Sequence, residues 1–276
     1  MTNSTGTVSR DMQTDIEWLY QAISHDSRYR HYVRIPERIC RCLDHFNVTS
    51  SRSAVKERLH SYYLFIGVVD DAIDSSQLEA GREILKQLEN SALLFDEETK
   101  QSSARLVTEI LKRHISPDVY PAVLIKLEEL YRAVVLERKS GTMRAYIEQR
   151  KTIGCLTAEL SYMLIRPLLK SEHADLCRFL KQVGEVGCLI DSVIDLRADE
   201  RHGLLSFRPT LRDYLKLTLQ TLHEGFKVTA KHPRLLGLFL EAVSDDLLDQ
   251  LWARGASPVS EQLDNTKSRY AFGRAA

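Results

Sequence analysis

Apolar residues recur at three- and four-residue steps along nearly the whole chain, and no stretch alternates with period two. Leu59, Tyr63 and Ile66 form one such row; Phe179, Val183, Val186, Ile190 and Ile194 form another. That spacing puts each row on one face of a helix. The residues that would interrupt it are scarce. Gly and Pro number 12 and 7 in 276 residues, about 4% and 3% against ordinary frequencies of roughly 7% and 5%. The pattern predicts helices over roughly 11–24, 34–46, 53–75, 79–92, 100–114, 118–139, 143–153, 155–171, 174–200, 210–231, 233–254 and 259–271. Breaks are expected at Ser116-Pro117, Arg208-Pro209, His232-Pro233 and Ser257-Pro258. Glycine-containing hairpin turns are absent. The expected fold is therefore all-α, a single domain over 11–276 behind a flexible tail over 1–10.

Charge and length narrow the function. Lys plus Arg and Asp plus Glu each number 38, which excludes a nucleic-acid binder held by bulk electrostatics. No apolar run approaches the roughly 18 residues of a membrane span. Met1 to Gln13 is polar, without the apolar core of a secretory signal. Five cysteines is an odd number, and Cys40 and Cys42 have no second Cys/His pair at zinc spacing. All five are expected to be free thiols in a reducing cytoplasm.

Three acidic clusters stand out. In Asp70-Asp71-Ala72-Ile73-Asp74, Asp70 and Asp74 share a helix face, with Asp71 one step around. Such like charges repel unless a cation or water screens them. The cluster follows Tyr62-Tyr63-Leu64-Phe65-Ile66-Gly67, so this helix is expected to enter the core, where carboxylates need partners. Oxygen-only ligands suit Mg²⁺. The same spacing also suits a solvated acidic face. Asp191, Asp195 and Asp199 recur every four residues, a stripe about 12 Å long. Gly184, Gly187 and Cys188 precede it, and Arg197, Arg201, His202 and Gly203 close it. A metal-bridged polyphosphate would fit such a stripe; so would a helix laced with ion pairs. The third cluster, Asp245-Asp246-Leu247-Leu248-Asp249, has no basic or glycine neighbourhood and reads as the solvated face of an amphipathic helix.

Together these segments resemble the class I terpene synthases of the isoprenoid synthase superfamily, over roughly residues 55–271. Asp70-Asp71-Ala72-Ile73-Asp74 is similar to that family's aspartate-rich motif. Asp191, Asp195 and Asp199 have the spacing of its Asn/Ser/Glu metal triad, with Asp at all three places. Tyr146–Gly154 resembles the segment carrying a diphosphate-sensing arginine and an effector glycine at a helix break, which maps to Arg150 and Gly154. Arg269-Tyr270 resembles the Arg-Tyr pair near the C-terminus of bacterial members. The resemblance implies an α-helical bundle with a central active-site cavity. It also implies a cluster of Mg²⁺ ions, three in that family, held by Asp70, Asp74, Asp191, Asp195 and Asp199, with Asp71 orienting ligands or pairing with an arginine.

The implied chemistry is ionisation of a linear prenyl diphosphate, farnesyl or geranylgeranyl, with Arg150 and Arg269 stabilising the leaving group. Tyr62, Tyr63, Phe65, Tyr162 and Trp252 are the candidates to line an apolar pocket for the carbocation, although aromatics at helical spacing are more often plain core. Squalene and phytoene synthases, which couple prenyl chains head to head, are the nearest rival family: Asp195 and Asp199 match their second motif, but no Ser-x-Ser-Phe segment is present. Linear chain elongators lack support, because Ser75–Glu79 stands where their arginine-rich stretch would follow. A non-catalytic helical scaffold is the alternative outside enzymes, and a homodimer is left open.

Overall fold

The computed structural model describes residues 10–48, 51–76, 78–90, 93, 102–170, 174–238, 240, 241 and 244. Between Arg10 and Leu235 the described residues form nine α-helices and three 3₁₀ turns, and no strand occurs among the described residues. The helices are α1 (Arg10–Ser24), α2 (Arg30–Phe46), α3 (Arg52–Ser76), α4 (Glu79–Glu89), α5 (Ser103–His114), α6 (Tyr120–Arg138), α7 (Met143–Ile165), α8 (Ala174–Arg201) and α9 (Leu211–Lys231). The 3₁₀ turns are Ser27–Tyr29, Arg166–Leu168 and Pro233–Leu235. The chain divides into two compact units, Met1–Leu235 and Leu236–Ala276. All the helices named here belong to the first. Trp252, Arg269, Tyr270 and the cluster at Asp245 lie outside the described residues.

α3 is the central helix of the first unit, with α2, α4, α5 and α7 packed around it. Its middle is buried on every side: Leu59, Tyr62, Tyr63, Leu64, Phe65 and Val68 all belong to the core. A helix apolar all round needs neighbours on all faces, and burial of that many large side chains is the main stabilising term. Close approach to α2 depends on Gly67, where a Cβ would stand 2.5 Å from the Tyr32 ring.

Helix ends follow local chemistry. Ser102 caps α5 and Thr142 caps α7, each accepting a backbone N–H of the first turn. Thr210 and Asp213 form a reciprocal capping box at α9. α8 stops at Gly203, whose φ of +71° most side chains resist. Leu204 N–H reaches the Asp199 carbonyl and Gly203 N–H the Glu200 carbonyl, the double bond of a Schellman end. Gly203 is thus a helix stop in its own right.

Two expectations are corrected. The predicted break near Gly154 is absent, since α7 runs unbroken from Met143 to Ile165. Gly154 meets α8 instead: a Cβ there would lie 2.1 Å from the Gly184 carbonyl oxygen. The glycine serves close helix approach, and the Ile153 and Gly154 carbonyls are ordinary helix-interior groups. α2 also begins earlier than expected, at Arg30, and carries Pro36 inside it. Proline removes one N–H from the helix ladder, and Pro36 is buried.

Candidate functional site

α7 and α8 lie antiparallel along much of their length: Arg150 meets Ser192, and Gly154 meets Gly184. The two glycines sit backbone to backbone and draw the helices together. One and two turns further along α8 than Gly184, Cys188 and Ser192 hold the arginine. Arg150 Nε donates to Ser192 Oγ at 2.7 Å, and Nη2 donates to the Cys188 carbonyl at 3.3 Å. Ser192 Oγ donates to that same carbonyl at 2.8 Å. Burial opposes the charge of Arg150. Cys188, Tyr146, Glu137 and Asp191 around it more than compensate, so its pKa rises above an arginine's ordinary value. The guanidinium is oriented before any ligand arrives.

The carboxylates of α3 leave the core sooner than expected. Asp70 and Asp74 are exposed, and Asp71 is half-buried. Each has a partner already. Tyr32 Oη donates to Asp70 Oδ2 at 2.8 Å. Arg28 Nη1 and Tyr29 Oη both donate to Asp71 Oδ2, at 2.9 and 3.0 Å. Arg138 forms an ion pair with Asp74. On α8, Asp191 Oδ1 lies 3.8 Å from His31 Nε2.

The two acidic helices are within electrostatic reach of each other. Burial, Asp195, Glu137 and Asp74 push the Asp199 carboxyl up to about 7, against the pull of Arg150. Burial, Asp70 and Asp71 push Asp74 up to about 6, against Arg138 and Arg150. Burial, Asp70 and Asp191 raise the Tyr32 hydroxyl. Burial raises Glu137, whose neighbours include Arg150, Asp70, Arg138 and Asp74. Asp70 and Asp74 on one side and Asp191, Asp195 and Asp199 on the other therefore share a neighbourhood with Arg150 and Glu137. The Tyr146 hydroxyl belongs to it too, buried near Arg150 and Ser192 without a hydrogen-bond partner of good geometry among the described residues.

Several of these residues carried no sequence signal. Arg28, Tyr29, His31 and Tyr32 come from the turn before α2 and from its first residues, and Glu137 and Arg138 from the end of α6. Arg28-Tyr29-Arg30-His31-Tyr32 is a dense run of basic and aromatic residues, and that run was the one readable clue. Its distance of about forty positions from Asp70 hid the contact.

The aromatic candidates sit differently. Tyr62 is buried and donates to the Thr157 carbonyl at 3.2 Å, and Tyr63 accepts from Ser161 Oγ at 3.0 Å. Both are bound into the α3–α7 packing. Tyr63 shares the face of α3 that carries Gly67, Asp70 and Asp74. Phe65 is buried, about 140° around the helix from Asp70. Tyr162 is half-buried.

The donor set suits a hard divalent cation in kind: carboxylate oxygens on two helices, two of them shifted upward by burial first and by neighbouring carboxylates next. Among the described residues no three of His, Cys, Asp and Glu already stand close enough to hold a metal ion. Gathering them requires side-chain movement, above all release of Asp74 from Arg138.

All five cysteines are free thiols. No helix among the described residues is long and apolar enough to cross a membrane. Comparison with protein-family models, with curated proteins and with solved structures returns no significant match.

Proposed function

We propose that the chain is a class I terpene synthase, a Mg²⁺-dependent lyase that ionises a linear prenyl diphosphate and guides the carbocation to a terpene. The observation that carries the reading is the pairing of two acidic helices around a pre-oriented arginine. Asp74 on α3 is among the groups that raise the proton affinity of Asp199 on α8, and Arg150 pulls against the rise at both carboxylates. A diphosphate is the ligand class such a mixture suits, because it takes metal-bridged carboxylates on one side and guanidinium donors on the other.

On this reading Asp70 and Asp74 hold cations from α3, and Asp191, Asp195 and Asp199 hold them from α8. Bound Mg²⁺ supplies charge neutralisation for the departing diphosphate. Arg150 offers its remaining N–H groups to the same leaving group, fixed by Ser192 and Cys188. Tyr32 orients Asp70, and Arg138 holds Asp74 until cations draw it away. Asp71 anchors the turn before α2 through Arg28 and Tyr29. Gly154 enters as the packing residue that lets Arg150 reach α8. Tyr63 and Tyr162 are the described aromatics offered for the apolar wall of a central cavity. The superfamily's bundle, a farnesyl or geranylgeranyl substrate and a cytoplasmic location belong to the same reading.

The test is incubation with geranyl, farnesyl and geranylgeranyl diphosphate plus Mg²⁺, followed by mass analysis of the products. Release of one diphosphate per terpene of unchanged carbon number supports a cyclase. Products of doubled carbon number would replace it with head-to-head coupling. No turnover of any of the three would remove the reading. Asp70→Ala and Asp191→Ala should each lower turnover by about a hundredfold or more while leaving the helical signal intact.

A further inference from the structure

We propose that Arg138 is a second diphosphate-binding guanidinium, stored on Asp74 until cations take that carboxylate. The role presupposes the diphosphate reading above and extends it to a residue outside both aspartate clusters.

The end of α6 is fixed. A helix leaves its last carbonyls without partners inside the helix, and here three in succession are taken up. Ser140 Oγ donates to the Leu136 carbonyl at 3.1 Å, and Ser140 N–H donates to the Glu137 carbonyl at 2.9 Å. Ser206 Oγ, from the segment after α8, donates to the Arg138 carbonyl. The backbone of Arg138 is thereby tied down, while its side chain reaches across to Asp74 on α3. A long side chain on a fixed backbone can change partner without moving its helix.

The ion pair itself is a weak hold. The Arg138 side chain is 19% exposed and that of Asp74 42%, and a pair so open to water contributes little to stability. Asp74 and Glu137 each feel both Arg138 and Arg150, so the two arginines flank the same carboxylates. They differ in how they are held. Arg150 is bound to the Ser192 hydroxyl and the Cys188 carbonyl, which are neutral. Arg138 rests on a carboxylate that the cations also need.

Charge decides where Arg138 goes. A divalent cation on Asp74 sets positive charge beside the guanidinium, and like charges at that range repel. A diphosphate held by the same cations carries several negative charges, and its oxygens accept the paired N–H donors of a guanidinium. Arg138 therefore exchanges Asp74 for the diphosphate as the ligand enters. Cation and diphosphate together release the pair better than either alone.

The test is calorimetric titration of the full chain with inorganic diphosphate in the presence of Mg²⁺, parent against Arg138→Gln. The two possible roles of Arg138 predict opposite signs. If it binds diphosphate, the variant's affinity falls by about tenfold or more. If it is only the counter-ion of Asp74, its removal frees that carboxylate for cations. Affinity then stays or rises, and the proposal is overturned. Titration with Mg²⁺ alone should show the variant binding at least as tightly as the parent. A loss there as large as the loss with diphosphate would also overturn the proposal, because the damage would lie at the cations. Should Arg138→Gln lose its helical signal, Arg138→Lys replaces it: the charge stays, the planar fork goes, and unchanged diphosphate affinity is the adverse result. A parent protein that takes up no diphosphate with Mg²⁺ would remove the catalytic reading and this role together. Binding by the parent without loss in the variant removes the role of Arg138 alone.

Discussion

Asp199 is the residue where folding and function pull apart. Its carboxyl is pushed up to about 7 by burial first and then by Asp195, Glu137 and Asp74. An unfolded aspartate titrates near 3.9. Between those values the folded state binds a proton that the unfolded state does not, so this group favours folding at low pH. The favour is lost as pH rises towards about 7. Asp74, pushed up to about 6, acts in the same direction. Asp199→Asn is therefore expected to raise the melting temperature at pH 8 by about 2–4 °C, roughly 1 kcal/mol for a chain of this size. The gain should shrink as pH falls and vanish only below about 4, where the unfolded carboxyl is protonated too, and turnover should stay below that of the parent protein at every pH. Melting curves of both proteins across pH 5–8 check this, and a variant that is less stable at pH 8 would reverse the assignment. Arg150→Lys is a second case at this scale. A lysine cannot bridge Ser192 Oγ and the Cys188 carbonyl with separate donors of one planar fork. Diphosphate affinity by calorimetry and the single-turnover rate should both drop, by about tenfold or more. If neither moves, Arg150 has no part in the mechanism.

At the scale of elements, the α7–α8 pair decides how the arginine reaches its acceptors. Gly154 and Gly184 permit backbone contact, and a Cβ at either place would strike a carbonyl oxygen, at 2.1 or 2.2 Å. Backbone cannot swing aside as a side chain can. Gly154→Ala is expected to cost about 1–3 kcal/mol by forcing the helices apart, and to lower activity in parallel. Gly187 on the same helix has open space around it. Gly187→Ala should cost nothing and gain a few tenths of a kcal/mol from helix propensity, about 0.5–1 at most. Denaturant titration of the two variants separates the contact from propensity. Equal stability of the two would mean that the glycine contact has no energetic weight.

At the scale of the molecule, ligand and stability should be linked. Binding to the folded state alone stabilises in proportion to the logarithm of ligand concentration. Mg²⁺ with inorganic diphosphate should raise the melting temperature, and Mg²⁺ or diphosphate alone should do so far less. The shift should be abolished in Asp191→Ala. A helical scaffold without the site would show no diphosphate-dependent shift. Cations that gather the carboxylates must also draw Asp74 from Arg138, so the α3–α6 contact is expected to loosen on binding. Hydrogen exchange of Asp74 and its neighbours, with and without Mg²⁺ and diphosphate, reads that change.

The sequence by itself determined the helical architecture and most helix positions. Three-and-four periodicity and sparse Gly and Pro act locally, within one or two turns, so they are legible without a structure. The punctuation at Pro117, Pro209 and Pro233 held for the same reason. It also singled out the carboxylates of α3 and α8, because residues four apart on a helix share a face whatever surrounds it. Only the tertiary structure decided which charges meet. Arg138 on Asp74, Arg28 and Tyr29 on Asp71, and Tyr32 on Asp70 are contacts between helices far apart in the chain, and no local rule encodes them. The role of Gly154 was decided the same way. A glycine in a helical pattern signals either a break or a close approach, and the presence of Gly184 opposite it on α8 made it an approach.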